Sequence, residues 1–174
     1  MIELYRAVVP FKKLINDNHD QHYKIHQGNL DFLTKQFNHL LNNIDDDYVG
    51  PDNFKIPDIS YVKEYLNNDK NKNRYIKIRC EIWKPRNIRF DPQNYAKTFK
   101  APIDLLVSNG FLTDDSWKFV DQISYCGGGP EVWEHRAFRY ENDGLPKSKD
   151  DMLNWWNLHN WDLNDPLIRI ILED

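Results

Sequence analysis

The chain has 174 residues, of which 40% are hydrophobic and 14% aromatic, which is enough apolar material for the packed core of one domain. This composition excludes wholesale disorder, and no apolar run approaches the roughly 20 residues that span a bilayer. The N-terminus lacks the order of a signal peptide, and Cys80 and Cys126 make neither a disulfide framework nor a zinc knuckle. We therefore expect a cytoplasmic protein without membrane contact.

Charge is unevenly distributed along the chain. Residues 70–100 contain ten Lys or Arg and only two acidic residues, a local net charge of +8 in a chain whose net charge is −4. Such a segment in an acidic protein is typical of a surface that binds a polyanion, although surface lysines are in general more often merely solvated. Because this segment runs directly into a group of carboxylates, binding to a polyanion such as nucleic acid is about as well supported as a solvated surface.

The N-terminal half predicts two strands and two helices. Residues 2–9 are strand-like and stop at Pro10, and residues 28–43 place leucines at helical spacing. A shorter helix is expected at 58–67. Residues 74–83 alternate between apolar and polar side chains, which predicts a strand with one buried face and one wet, basic face.

The next predicted helix, 92–109, begins after Asp91, a favoured N-cap, and Pro102 predicts either a kink or two short helices. Beyond it the sequence predicts four elements. They are strands at 117–125 and 132–140 joined by a turn at Gly127–Gly129, a short helix starting near Met152, and a last strand at 166–172.

These elements predict an α/β (α+β) fold, in which a small mixed β-sheet packs against helices. Its strands are expected from 2–9, 74–83, 117–125 and 166–172. We expect one domain over residues 1–174, with residues 130–165 as an insertion before the last strand.

The residues that can carry chemistry lie around the helix predicted at 92–109. Asp91 precedes this helix, Lys100 lies within it, and the pair Asp114 and Asp115 follows it. Carboxylate oxygens are the ligands that hard cations take, and a lysine stabilises charge that develops on a phosphate. Spacing alone is weak evidence, because an N-cap aspartate is structural far more often than catalytic.

The order of these residues resembles the RusA-type Holliday junction resolvases of phages and prophages. The matching residues are Arg89, Asp91, Asn94, Lys100, Asp104, Gly110, Leu112, Asp114 and Asp115. With the flanking strands, the resemblance covers residues 74–125. It implies a small homodimer that cuts four-way DNA junctions in recombination and repair, with Mg²⁺, or Mn²⁺ in its place, held by clustered aspartates.

The resemblance also implies roles for individual residues. Asp91 and Asp115 would be metal ligands and catalytic residues, Lys100 the catalytic lysine, and Asp114 a neighbouring or alternative ligand. The family often has an aspartate where this chain has Gln93, whose amide oxygen can bind a metal but brings no charge. The alternative function is therefore a catalytically impaired resolvase-fold module that binds DNA or a protein.

The basic segment supplies the residues expected to contact DNA. They are Lys77, Arg79, Lys84, Arg86, Arg89 and Lys97. The expected partner is branched DNA, and a homodimer is expected because a four-way junction needs paired cuts.

Overall fold

The computed structural model describes residues 1–16, 27–35, 54–55, 59–67, 75–86, 89–116, 118–139 and 143–173. One mixed sheet contains β1 (Ile2–Val8), β2 (Phe54–Lys55), β3 (Ile76–Trp83), β4 (Val120–Gly128) and β5 (Leu167–Glu173). The strand order is β2-β1-β5-β3-β4, in which β3 and β4 are parallel and the other pairs antiparallel. The predicted small mixed sheet with helices is therefore confirmed, and the last strand lies inside the sheet.

Five helices are found in the described residues. They are α1 (27–35), α2 (Ile59–Asn67), α3 (Ala96–Ser108), α4 (Pro130–Arg136) and α5 (Lys149–Leu158). Residues 36–43 of the first predicted helix lie outside the described residues. A 3₁₀ turn (Pro92–Tyr95) precedes α3, which runs unbroken through Pro102, so the prediction of two short helices is wrong. None of the helices in the described ranges is long and apolar enough to cross a membrane.

The glycine run after residue 126 does not form the predicted turn, and the predicted strand at 132–140 is wrong. Gly127 and Gly128 end β4, and Gly129 leads into α4, where Pro130 occupies a first-turn position that suits proline. A Cβ atom on Gly127 would lie 1.8 Å from the carbonyl oxygen of Ile82. Glycine is therefore required here because β3 and β4 approach closely.

The sheet is covered on both faces by apolar clusters. The larger cluster joins the sheet to α1, α2 and α3, and it includes Leu33, Val62 and Phe99. The smaller cluster packs α4 and α5 over the other face, where the rings of Trp83 and Trp133 meet edge to face at 5.0 Å. Because α4 and α5 cover this face, the solvent-exposed face predicted for the strand at 74–83 is found only in the first half of the strand. For the second half the prediction is wrong.

A series of buried charges, here called the ion ladder, crosses the second face through β1, β5 and β3. Arg169 lies at its centre, with Nε 2.6 Å from Glu3 Oε2 and Nη1 2.8 Å from Glu81 Oε2. Arg6 contacts Glu3 and Arg79 contacts Glu81, each at 2.8 Å. Cations and carboxylates therefore alternate across three neighbouring strands.

An irregularity in β1 lets two of these charges meet. Residues three apart on a regular strand point to opposite faces, yet Glu3 and Arg6 form an ion pair. The pairing register between β1 and β5 shifts between Glu3 and Tyr5, as in a β-bulge. This shift brings both side chains to the same face.

The ion ladder also holds the chain that follows α4. Glu81 Oε1 accepts a hydrogen bond from the Phe138 amide at 3.0 Å, and Arg169 Nη1 donates to the Phe138 carbonyl at 3.0 Å. Arg79 donates to the carbonyl of Arg136, the last residue of α4, and Arg6 donates to the Asp143 carbonyl at 2.8 Å. The C-terminal end of α4 is thus tied to the sheet.

We predict that Arg169→Ala strongly destabilises the protein, because it leaves Glu3 and Glu81 buried without their shared cation. Breaking a buried ion pair from one side costs about 3–5 kcal/mol, which urea denaturation would measure. The control is Lys149→Ala, which removes an exposed pair with Glu131 and should leave stability nearly unchanged. Equal losses in the two variants would contradict a central role for Arg169.

Candidate active site

Lys100 and Asp115 line one cavity of about 220 Å³, here called the Lys100 cavity. The remaining lining residues are Ala96, Lys97, Ile103, Ile123 and Tyr125. Helix α3 supplies both lysines, and the chain after α3 turns back into β4 and carries Asp115. The helix packs against β4 through Phe99 and Tyr125, whose ring centroids are 6.0 Å apart. Two of the three predicted catalytic residues therefore meet at the junction of α3 and β4.

Lys100 forms an ion pair with Asp104, one helical turn further along α3. The Nζ–Oδ1 distance is 3.2 Å, and the two side chains are 68% and 51% exposed. An exposed pair of this kind contributes little free energy because water competes for both charges. A phosphate that enters the cavity can therefore recruit the Lys100 ammonium at small cost.

Asp114 uses its carboxylate to order its own loop. Oδ1 accepts a hydrogen bond from the Asp115 amide at 2.8 Å, and Oδ2 accepts one from the Ser116 hydroxyl. The hydrogen bond from Ser116 holds the pKa of Asp114 below its usual value. The side chain thereby stabilises the turn that presents Asp115 to the cavity.

Asp91 caps the 3₁₀ turn ahead of α3, as its N-cap position predicts. Its Oδ1 accepts a hydrogen bond from the backbone N–H of Gln93 at 3.0 Å, and the side chains of Asp91 and Gln93 are exposed. Asp91 lines neither the Lys100 cavity nor the cavity formed by its neighbours Phe90 and Pro92. The structure thus places Asp91 in the capping role, and its role as a metal ligand stays a prediction.

A three-carboxylate cage is not assembled in the described part of the chain, where no group of three or more His, Cys, Asp or Glu is placed to hold a metal ion. Mg²⁺ needs less than such a cage, because it commonly takes one or two carboxylates and completes its coordination with water and substrate phosphates. Asp115, exposed in the cavity that Lys100 lines, is one such carboxylate. Magnesium binding through Asp91, Gln93 and Asp114 remains a prediction from the sequence.

A second cavity of about 560 Å³, here called the Arg136 cavity, lies at the carboxyl ends of the parallel strands β3 and β4. Its lining residues are Arg89, Phe90, Pro92, Tyr125, Cys126, Gly127, Gly128, Gly129, Glu131, Val132 and Arg136. Tyr125 lines both cavities. Arg136 was not among the predicted DNA-binding residues, because no motif marks it and its segment was predicted to be a strand.

The six predicted DNA-binding residues fall into different environments. Lys77, Arg86, Arg89 and Lys97 are exposed. The guanidinium of Arg79 instead belongs to the ion ladder, where it contacts Glu81.

Lys84 is only 7% exposed and sits among aromatic rings. Its Nζ lies 4.6 Å from the ring centroid of Phe11, 4.5 Å from that of Phe90 and 5.4 Å from that of Tyr95. Burial lowers the pKa of Lys84, while the ring faces attract its ammonium. Lys84 therefore joins the N-terminal segment to the connector before α3 and does not present its charge to a ligand.

No family model, curated protein or solved structure matches this chain. The resemblance to the RusA-type resolvases therefore rests on the residues between 74 and 125.

We predict that Lys84→Ala lowers the melting temperature and leaves the salt dependence of DNA binding unchanged, since its ammonium is enclosed by three rings. Arg86→Ala should leave the melting temperature unchanged and flatten the salt dependence of DNA binding, because that side chain is exposed. Thermal unfolding and fluorescence anisotropy across a salt series would measure the two effects. A salt dependence that flattens in Lys84→Ala alone would show that Lys84 reaches DNA.

We predict that Ser116→Ala raises the pKa of Asp114 towards its ordinary value, because the variant removes the hydrogen bond that favours the carboxylate. A group with a lowered folded pKa contributes stability above its unfolded pKa and loses it as pH falls through the folded pKa. Ser116→Ala should therefore also reduce the acid-side loss of stability. An NMR titration of the carboxyl would report the shift, and Ser108→Ala, whose hydroxyl donates to Leu105, is the control.

Proposed function

We propose that this protein is a Mg²⁺-dependent, structure-selective endonuclease that cuts branched DNA, including four-way junctions, in the manner of the RusA-type resolvases. The observation that carries the proposal is the Lys100 cavity, where two lysines and the carboxylate of Asp115 line one surface opening. Cations beside a carboxylate are the groups that phosphodiester cleavage requires. The Arg136 cavity supports the proposal, because it continues the basic surface past Tyr125.

The residues of the Lys100 cavity have distinct roles in this proposal. Lys100 and Lys97 attract the scissile phosphate and stabilise the negative charge that grows on its oxygens. Asp115, together with Asp91 or Asp114, would hold Mg²⁺, or Mn²⁺ in its place. The bound ion would supply a more acidic water and polarise the phosphate. Asp114, through its bonds to Asp115 and Ser116, keeps the loop that carries Asp115 in place.

The biological setting of the proposal follows from the substrate. A four-way junction needs two symmetric cuts, so we propose a homodimer in which each chain contributes one site and one basic segment. Such an enzyme would act in the cytoplasm on phage or prophage DNA during recombination and repair.

The rival function is a resolvase-fold module that binds DNA or a protein without cutting it. Two observations favour it: Gln93 brings no charge where the family often has an aspartate, and the ammonium of Lys100 is paired with Asp104. Titration with magnesium by calorimetry separates the two functions, since an active site binds the ion and an impaired site does not.

We predict that Asp115→Asn and Lys100→Ala each lower the cleavage of a labelled four-way junction by about 10²–10³-fold, the usual effect of removing one group that stabilises the transition state. Junction binding should persist in Asp115→Asn, because its basic residues are intact. Cleavage with Mg²⁺ or Mn²⁺ would be followed on a denaturing gel.

Asp121→Asn is the matched control for this experiment. Asp121 is an exposed carboxylate on β4 that lines neither cavity, so its variant should cut as the unmodified protein does. Normal cleavage by Asp115→Asn would contradict the assignment of the site, and no cleavage by the unmodified protein with either ion would contradict the proposed reaction.

A further inference from the structure

We propose that α4 forms one wall of a groove that holds a single DNA strand, in which Arg89 and Arg136 bind one stretch of the backbone while Lys97 and Lys100 bind another. The proposal rests on the proposed function in taking DNA as the ligand. It assigns part of the segment 130–165 to substrate binding, and it adds Arg136 to the residues that contact DNA.

The two cavities are neighbours along β4. Tyr125 lines both the Lys100 cavity, of about 220 Å³, and the Arg136 cavity, of about 560 Å³. Along β4, Ile123 faces the first cavity, and residues 126–128 face the second. Since β4 is the edge strand of the sheet, a ligand longer than either cavity can follow β4 from α3 to α4 past Tyr125.

Charge along this path suits a polyanion. Its cations are Lys97, Lys100, Arg89 and Arg136, and its carboxylates are Asp115 and Glu131. Glu131 is already engaged by Lys149 at 3.0 Å. Within the described part of the chain, no carboxylate forms an ion pair with Arg89 or Arg136, and a guanidinium can bind phosphate through two parallel hydrogen bonds.

Glycines allow α4 to lie close to β4 and leave the floor of the groove without side chains. A Cβ atom on Gly128 would lie 2.5 Å from Cγ2 of Val132 on α4, so a larger residue would force Val132 to shift. The floor between Cys126 and Pro130 is therefore backbone, which a phosphate chain can approach closely.

The C-terminal end of α4, which forms the wall of the groove, is fixed to the sheet in the absence of a ligand. Arg79 donates a hydrogen bond to the carbonyl of Arg136, and Phe138 bonds to Glu81 and Arg169 through its backbone. Because Glu81 and Arg169 are buried and Arg79 is paired with Glu81, the backbone that carries Arg136 does not need to be ordered on binding. Such preorganisation lowers the entropic cost of association.

A single strand fits this groove better than a duplex. The two cavities follow β4, the edge strand of the sheet, between the layer that contains α3 and the layer that contains α4. A basic groove that follows one backbone is usual for single-stranded nucleic acid, and cavities of about 220 and 560 Å³ are small beside a duplex. In branched DNA, such a strand is available where base pairs open at the junction.

The test is fluorescence anisotropy with a labelled oligothymidylate in EDTA, compared across a salt series for the unmodified protein, Arg136→Ala and Arg89→Ala. Each lost phosphate contact should reduce the slope of log affinity against log salt by about 0.7, which near 0.1 M salt corresponds to roughly fivefold weaker binding. Lys63→Ala, an exposed lysine on α2 outside both cavities, is the control and should match the unmodified protein.

A second variant guards against a folding effect. Arg136→Lys keeps the charge and should keep the slope, and both Arg136 variants should unfold at the temperature of the unmodified protein because the side chain is exposed. The proposal is overturned if Arg136→Ala binds with unchanged slope and affinity. It is also overturned if Lys63→Ala loses as much affinity and slope as Arg136→Ala. If Arg136→Ala weakened binding to a labelled duplex but not to the oligothymidylate, the assignment to a single strand would be overturned.

This experiment separates the groove from the proposed reaction. No divalent ion is present, so binding is measured whether or not the protein can cut DNA. If the protein binds the strand through Arg136 but never cleaves a junction, the groove is supported and the proposed endonuclease activity is contradicted. If the unmodified protein cleaves a junction and Arg136→Ala keeps an unchanged slope, the endonuclease is supported and the groove is contradicted.

Discussion

The need to neutralise buried charge governs how this fold is assembled. Arg169 is fully buried on β5, and it reaches Glu3 on β1 at 2.6 Å and Glu81 on β3 at 2.8 Å. Both contacts are possible only if β5 lies between β1 and β3. Charges removed from water are tolerated when paired and hydrogen-bonded and are very costly when a partner is missing. The ion ladder therefore favours the observed strand order over arrangements in which β5 lies at an edge.

The same ladder connects the sheet to the candidate site. Its outer members hold the carbonyls of Arg136 and Asp143, so the chain leaving α4 is fixed on one face of the sheet. On the other face, apolar packing of Phe99 against Tyr125 holds α3 beside β4. Tyr125 on β4 lines both cavities, because elements of both layers pack beside β4. One wall of the site thus depends on buried ions and the other on hydrophobic contact.

Elements with a clear period were predictable from the sequence, and elements defined by distant contacts were not. The alternation at 74–83 and the strand-like run at 166–172 identified β3 and β5, which lie side by side in the sheet. Helix α4 was missed, because its apolar side chains suit a strand equally well. What makes it helical is tertiary: Trp133 packs edge-on against Trp83, and its indole donates to the Pro146 carbonyl at 2.8 Å. Lys100 and Asp115 were identified from residue type, but their shared cavity required the fold.

The basic segment illustrates why local charge is an incomplete guide to an interface. Ten cations between residues 70 and 100 suggest one continuous surface, yet the structure gives three of them different environments. Arg79 is half-buried and paired with Glu81, Lys84 is enclosed by aromatic rings, and Arg89 lines a cavity. The charge available to a ligand is therefore smaller than the sequence count, while Arg136 adds a cation from outside the segment. The environment of Lys84 depends on Phe11, far away in the chain, and that of Arg89 on the packing of α4, so the exposure of each cation is set by tertiary contacts.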